Sequence, residues 1–214
     1  MTDVDVVAEG RHSRRKAATR AAIVRAAREL LVLDGTEVSV QAITERADVA
    51  LGSFYNHFDG KPAVFEAAAT AALEEFEESL VARTHHLRGV LKVFAARLRL
   101  YGRMTDTHPE IATVMMCLPP SAHLAPHGYS LRALADVEAA LAAGELAVDD
   151  LDIRLIAAAG SMRSLVALRQ RDPSMSAERV DDLAAVLLEM FGLSPVEARE
   201  LAHVPLDSLL DESA

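Results

Sequence analysis

The chain has 214 residues, of which 51% are hydrophobic and only 4% aromatic, with one cysteine and a formal net charge of -10. That apolar fraction is enough for a sizeable core, its alanine and leucine favour helices over strands, and the lone Cys117 excludes an intrachain disulfide framework. The start, MTDVDVVAEG, lacks the basic-then-apolar order of a signal peptide and no apolar run reaches membrane-spanning length, so a cytoplasmic protein with no membrane partner is expected.

Charge is unevenly spread. Residues 11–28 carry seven basic side chains, among them Arg14, Arg15 and Lys16, and no acidic one. Residues 62–214 carry 13 Lys and Arg against 23 Asp and Glu. A basic front on an acidic body would orient the molecule towards nucleic acid. Residues 1–14 read as a flexible arm, with the basic run to Lys16 ordered only on a partner. A first helix is expected from about Thr19 to Leu33, with Ile23, Ala27, Leu30 and Leu31 as its apolar stripe and Gly35 ending it.

Ser39 caps a second helix, in which Val40, Ile43 and Ala47 recur at helical spacing. Asp48-Val49-Ala50 is a turn. A third short helix, Leu51 to Phe58, then offers Phe54 and Phe58 to a core shared with the first two. Three helices in this order have helix-turn-helix anatomy, in which the last enters the major groove of DNA.

A long helix is expected from Lys61 to about Arg83, continuous across the boundary between two domains. Further helices follow over about 87–104, 109–117, 129–143, 149–171 and 176–191. Ser194-Pro195-Val196-Glu197 is a strong helix start, with a cap, a proline at the first helical position and a glutamate two residues on. The tail from Asp207 is expected to fray. The fold class is all-α, with a helix-turn-helix domain over 15–62 and a larger helical domain over 63–206.

The stretch TRAAIVRAARELLVLDG, then VSVQAITERADVALGSFYNHF, then the lysine of DGK, resembles the N-terminal domain of the tetracycline-repressor family of bacterial transcriptional regulators. The resemblance covers about residues 15–66. It implies a DNA surface made of Leu51, Gly52, Ser53, Tyr55, Asn56 and His57, with phosphate contacts from Ser39, Lys61 and the arm residues Arg14, Arg15 and Lys16. Asn56 has an amide able to pair with adenine. His57 is equally a packing residue, and Arg46 equally a solvated charge. Three positions depart from the family pattern. Asp48 stands where glycine is common, Ala50 where a serine or threonine usually caps the third helix, and Leu51 where a basic or polar residue often points outward.

The resemblance further implies a homodimer paired through about residues 151–190 and a small organic effector held between the middle helices. The apolar stripes in 151–166 and 183–190 suit pairing, and suit a monomeric core as well. The ligand-binding candidates are Leu98, Tyr101, Met104, Met115, Met116, Cys117, His123 and His127. The methionines suit an apolar or amphipathic effector. The histidines match no zinc spacing, so no metal or cofactor is expected. No nucleophile elbow, phosphate loop or metal motif supports an enzyme. The expected function is a repressor that binds a palindromic operator and is released by its effector. The alternatives are a constitutive DNA binder and an enzyme housed in the helical body.

Overall fold

The computed structural model describes residues 3–117 and 129–210, and all of its regular elements are helices. In chain order they are α1 (Asp3–Asp34), α2 (Val40–Ala47), α3 (Leu51–Tyr55), α4 (Lys61–Thr84), α5 (Val90–Gly102), α6 (Met104–Thr107), α7 (Pro109–Met116), α8 (Tyr129–Ala142), α9 (Leu151–Arg171), α10 (Glu178–Met190), α11 (Pro195–His203) and α12 (Leu206–Leu210). Gly35–Glu37 forms a 3-10 turn after α1. The chain divides into two compact units. One holds the residues up to Ala72 and the end of α7 from Thr113; the other holds Leu73–Ala112 and the C-terminal helices. The helix α4 contributes to both.

The first unit follows its sequence closely. Ile23, Ala27 and Leu31 of α1 are buried, and α1 packs on α2 and α3. The Ser39 hydroxyl accepts from the Ala42 N–H at 3.0 Å, which caps α2. Asp48 ends α2 in the left-handed region (φ 54°), and its N–H reaches back to the Glu45 carbonyl at 3.2 Å. Aspartate tolerates that conformation better than most residues. Ala50 gives α3 no side-chain cap. Phe54 and Phe58 are buried and meet with ring centroids 5.8 Å apart.

Three sequence expectations change. The helix α3 ends at Tyr55, short of Phe58, where the chain turns with the His57 N–H on the Phe54 carbonyl at 2.9 Å. The basic segment is not a flexible arm, because α1 runs helical from Asp3 through Arg11–Lys16. No proline interrupts residues 3–34 and Gly10 is their one glycine, so backbone propensity favours a single helix. The C-terminal tail is also helical at Leu206–Leu210.

In the second unit, α5 is the central helix and packs on α8, α9, α10 and α11. It starts later than expected because Gly89 precedes it with φ 96°. At its other end, a Cβ on Gly102 would lie 2.4 Å from Val180 Cγ1 and 2.9 Å from Met162 Sδ. Only glycine lets α5 approach α9 and α10 this closely. Buried charges cross-link the same helices. Asp181 accepts from Arg99 Nε at 2.7 Å and from Arg103 Nη2 at 2.8 Å. Arg169 donates to both oxygens of Asp106, at 3.0 and 2.9 Å, and to the Gly102 carbonyl at 3.0 Å. The capping box at Ser194 forms as its sequence indicates: the Ser194 hydroxyl accepts from the Glu197 N–H, and the Glu197 carboxylate accepts from the Ser194 N–H.

Candidate DNA-binding face and effector cleft

The first unit presents a surface that its own core does not use. With Phe54 turned inward, the geometry of α3 turns Leu51 and Tyr55 outward, and they are 53% and 56% exposed. A leucine and a tyrosine held out in water contribute little to folding. Gly52 lies between them, and a Cβ there would meet nothing within 4 Å. The fold therefore does not require glycine at this position. Asn56 is exposed, Ser53 and His57 are half-buried, and these three share a groove with Arg15, Lys16 and Thr19 of α1. Arg14 is exposed on the same stretch of α1.

The remaining candidates have partners inside the unit. Lys61 donates to the Thr36 carbonyl at 3.0 Å and lies 5.9 Å from the Phe65 ring centroid. Ser39 is occupied as the α2 cap but remains exposed. Arg46, which the sequence left undecided, pairs with Glu29 at 2.7 Å. Arg20, which the sequence did not single out as a site residue, lies 5.0 Å from the Phe58 ring centroid. Its cation covers the core aromatic and strengthens the basic character of α1. The groove thus carries two exposed cations and hydrogen-bonding groups at the mouth of α3, the chemistry that binds phosphate.

The predicted ligand residues that are described divide between the two units. Tyr101 and Met104 are buried in the second unit, where Tyr101 meets Phe76 edge-on. Met115 is buried, and Met116 and Cys117 are half-buried, at the end of α7 in the first unit. His123 and His127 lie outside the described residues. Leu98 does line a cleft of the second unit. Its neighbours there are Leu80 and Glu77 of α4, and Phe94 and Arg97 of α5. Arg132, Ala133 and Asp136 of α8 close it.

This cleft holds a four-charge cluster that sequence reasoning missed. Arg97 Nη1 donates to both oxygens of Asp136 at 2.7 Å. Arg132 Nε donates to Glu77 Oε2 at 3.0 Å. The other carboxylate oxygen, Glu77 Oε1, is buried without a partner. Burial raises the Glu77 pKa above its ordinary value, and the hydrogen bond from Arg132 only partly offsets it. The available signal in the sequence was register. Glu77 falls between Leu73 and Leu80, on the inward side of α4, where an acid is out of place.

Among the described residues there is no group of three or more metal-ligating side chains, and no helix is long and apolar enough to cross a membrane.

The model for the N-terminal domain of tetR-family bacterial regulatory proteins matches residues 23–68. The model for the tetracyclin repressor-like C-terminal domain matches residues 91–204, more than half of the chain. No curated protein matches it. Among solved structures, the chain is similar to RolR in complex with resorcinol, at 26% identity and a TM-score of 0.69, over 92% of this chain and 99% of that one. RolR without ligand is also similar, at 26% identity and a TM-score of 0.66, over 86% and 97%. A tetR-family regulator from Shewanella sp. PV-4 shares the fold, at 21% identity and a TM-score of 0.66, over 82% and 99%. Helix order, turn geometry and both halves of the sequence agree: the chain belongs to the tetracycline-repressor family, whose members are DNA-binding regulators of transcription and not enzymes.

Proposed function

We propose that the chain is a homodimeric repressor that binds a palindromic operator and is released by a small organic effector. The observation that carries the DNA reading is the outward face of α3, where Leu51, Gly52 and Tyr55 are exposed and the fold does not require the glycine. In this reading Leu51 touches a thymine methyl, Asn56 pairs with adenine, and Ser53, Tyr55 and His57 complete the surface. Arg14, Arg15 and Lys16 hold phosphates from α1, joined by Lys61 and the hydroxyl end of α2 at Ser39. Helix-turn-helix dimers read half-sites about 34–36 Å apart.

The dimer reading has its own support. Part of the stripe that suits either pairing or a monomeric core is used inside the chain, since Ala158, Met162 and Val166 are buried. The opposite face of α9 is the unpaired one. It exposes Ile153, Ile156 and Leu168 around Ala157, Gly160 and Ser164, and α10 adds the exposed Val186. Small residues between apolar ones let two helices approach closely, and a twofold partner would cover this face.

Gly52→Ala separates folding from DNA binding. The added methyl meets open space and lowers the entropy of the unfolded chain, so stability should rise by about 0.4–1 kcal/mol. The same methyl would stand between the α3 backbone and a base edge, so operator affinity should fall. Thermal denaturation and a fluorescence titration on the same preparations check both halves. Unchanged affinity would remove α3 from the interface.

The 26% identity with RolR, solved with resorcinol, supports a small organic effector. The decisive experiment selects bound genomic DNA fragments and then screens compounds for release of the best one. Coupling must be reciprocal: if an effector weakens operator binding tenfold, about 1.4 kcal/mol, the operator weakens effector binding tenfold. Calorimetric titration of the effector into free protein and into the operator complex measures this. Equal affinities would leave a constitutive DNA binder.

A further inference from the structure

We propose that the Glu77 cleft is the effector site and that its ligand is a small, neutral aromatic ring bearing hydroxyl groups. The inference rests on the reading of the chain as a ligand-responsive regulator, and adds to it the place and the chemical class. Three features of the cleft select that class.

The first is the orphaned oxygen. Glu77 is 5% exposed and its Oε1 has no partner, whereas Oε2 is held by Arg132. A buried acceptor left unpaired is costly, and a ligand that brings an O–H donor removes that cost. A purely hydrocarbon ligand would leave it in place. The second is charge balance. Glu77 and Asp136 face Arg132 and Arg97, two of each sign, and Asp136 is already satisfied by both hydrogen bonds from Arg97. A carboxylate ligand would meet two acids, and an ammonium ligand two guanidinium groups. A neutral ligand is the one the cluster accepts without leaving a charge uncompensated. The third is the remaining wall. Leu80, Phe94 and Leu98 offer apolar surface beside the polar cluster, which suits a ring polar at one edge.

As it stands the cleft has about 20 Å³ of water-sized space, room for a single water. A ring therefore enters by moving a side chain. Arg132 is the one placed to move, because its side chain is 43% exposed while that of its partner Glu77 is 7% exposed. When Arg132 shifts outward while keeping its hydrogen bond to Oε2, a ligand hydroxyl can donate to the orphaned Oε1. The ligand then adds a hydrogen bond at Oε1 and leaves in place the ion pair that ties α4 to α8.

The test is calorimetric titration of the full chain with phenol and the three benzenediols, beside 1,3-dimethoxybenzene and benzoate. At least one benzenediol should bind. The dimethoxy compound, which has no donor, and benzoate, which is charged, should bind about tenfold or more weakly. Glu77→Gln should weaken the benzenediol by about the same factor. Ala133→Leu, which fills the cleft without touching the charges, should abolish binding, and a retained helical circular-dichroism spectrum with a cooperative thermal transition shows that each variant folds. Absence of binding by every hydroxylated probe at millimolar concentration overturns the proposal. So does benzoate binding more tightly than the diols, or a soaked crystal with one water on Glu77 Oε1 and the ring elsewhere. A screened compound that releases operator with undiminished affinity in both variants also overturns this site, and leaves the regulator reading standing. A benzenediol that binds in the cleft without changing operator affinity upholds the site and removes effector-driven release.

Discussion

Asp181→Ala should destabilise the chain by about 3–5 kcal/mol, the scale for removing one partner of a buried ion pair. Asp181 is the single carboxylate shared by Arg99 and Arg103, and Arg99 is 2% exposed with Nη1 unpartnered even in the intact cluster. Without Asp181, the Arg99 charge would lose its ion pair while buried in the last turn of α5. Urea unfolding at one fixed protein concentration measures this, since a dimer's midpoint depends on concentration. The pH dependence has a definite sign. Burial alone would raise the Asp181 pKa, but the hydrogen bonds from Arg103 and Arg99 outweigh it and hold the carboxyl below its ordinary value. The unfolded chain then binds the proton more readily, so the stability from Asp181 is full above the ordinary carboxylate range and is lost as pH falls through the lowered folded value. The alanine variant should show a shallower loss of stability on acidification. A variant with unchanged midpoint would mean that the three-charge cluster is energetically neutral.

Alanine at Arg14, Arg15 and Lys16 together should weaken binding to every DNA sequence alike, by about 10–100-fold at moderate salt. These side chains carry charge and no base-reading geometry, so the preference among operators should survive. The logarithm of affinity against the logarithm of salt concentration should become shallower by about 0.9 for each phosphate that is no longer neutralised. Anisotropy titrations at four or five salt concentrations give affinity and slope together. An unaltered slope would show that this face of α1 lies away from the phosphates.

What could be read from the sequence was whatever local chemistry decides. The Ser39 cap, the left-handed Asp48, the buried pair Phe54 and Phe58, and the Ser194 capping box each depend on residues within a few positions of one another, and all stand as their sequence indicates. The Glu77 cleft was hidden because its partners are distant in the chain. Arg132 reaches Glu77 across 55 residues, and Arg97 reaches Asp136 across 39. Nothing in one helix marks Glu77 apart from Glu74, Glu75 and Glu78 except its register on the apolar side. Which face of α9 turns inward was left open for a related reason. A helix with apolar residues on two faces has no unique inward side, and periodicity alone could not say that Met162 and Val166 turn into the chain while Ile153 and Ile156 turn out. The length of α1 was missed because its basic run suggested a solvated tail, whereas backbone propensity favours helix there.

The helical order of α1 through Lys16 changes the thermodynamics of DNA binding. A disordered basic tail must surrender its conformational freedom when it meets DNA, at a cost of about 1–2 kcal/mol for each backbone residue fixed. In α1 the residues Arg14, Arg15 and Lys16 have already met that cost in the free protein, through the same helix whose Ile23 and Leu31 anchor the core. Operator binding through them should therefore lack the calorimetric mark of coupled folding. Its heat-capacity change should scale with the surface covered on a rigid face, without the added decrement of a segment that folds as it binds. Proline at Ala17 or Ala18 would return that cost to the binding step. It would leave every charge in place, so any affinity lost would measure the worth of holding those charges in order beforehand.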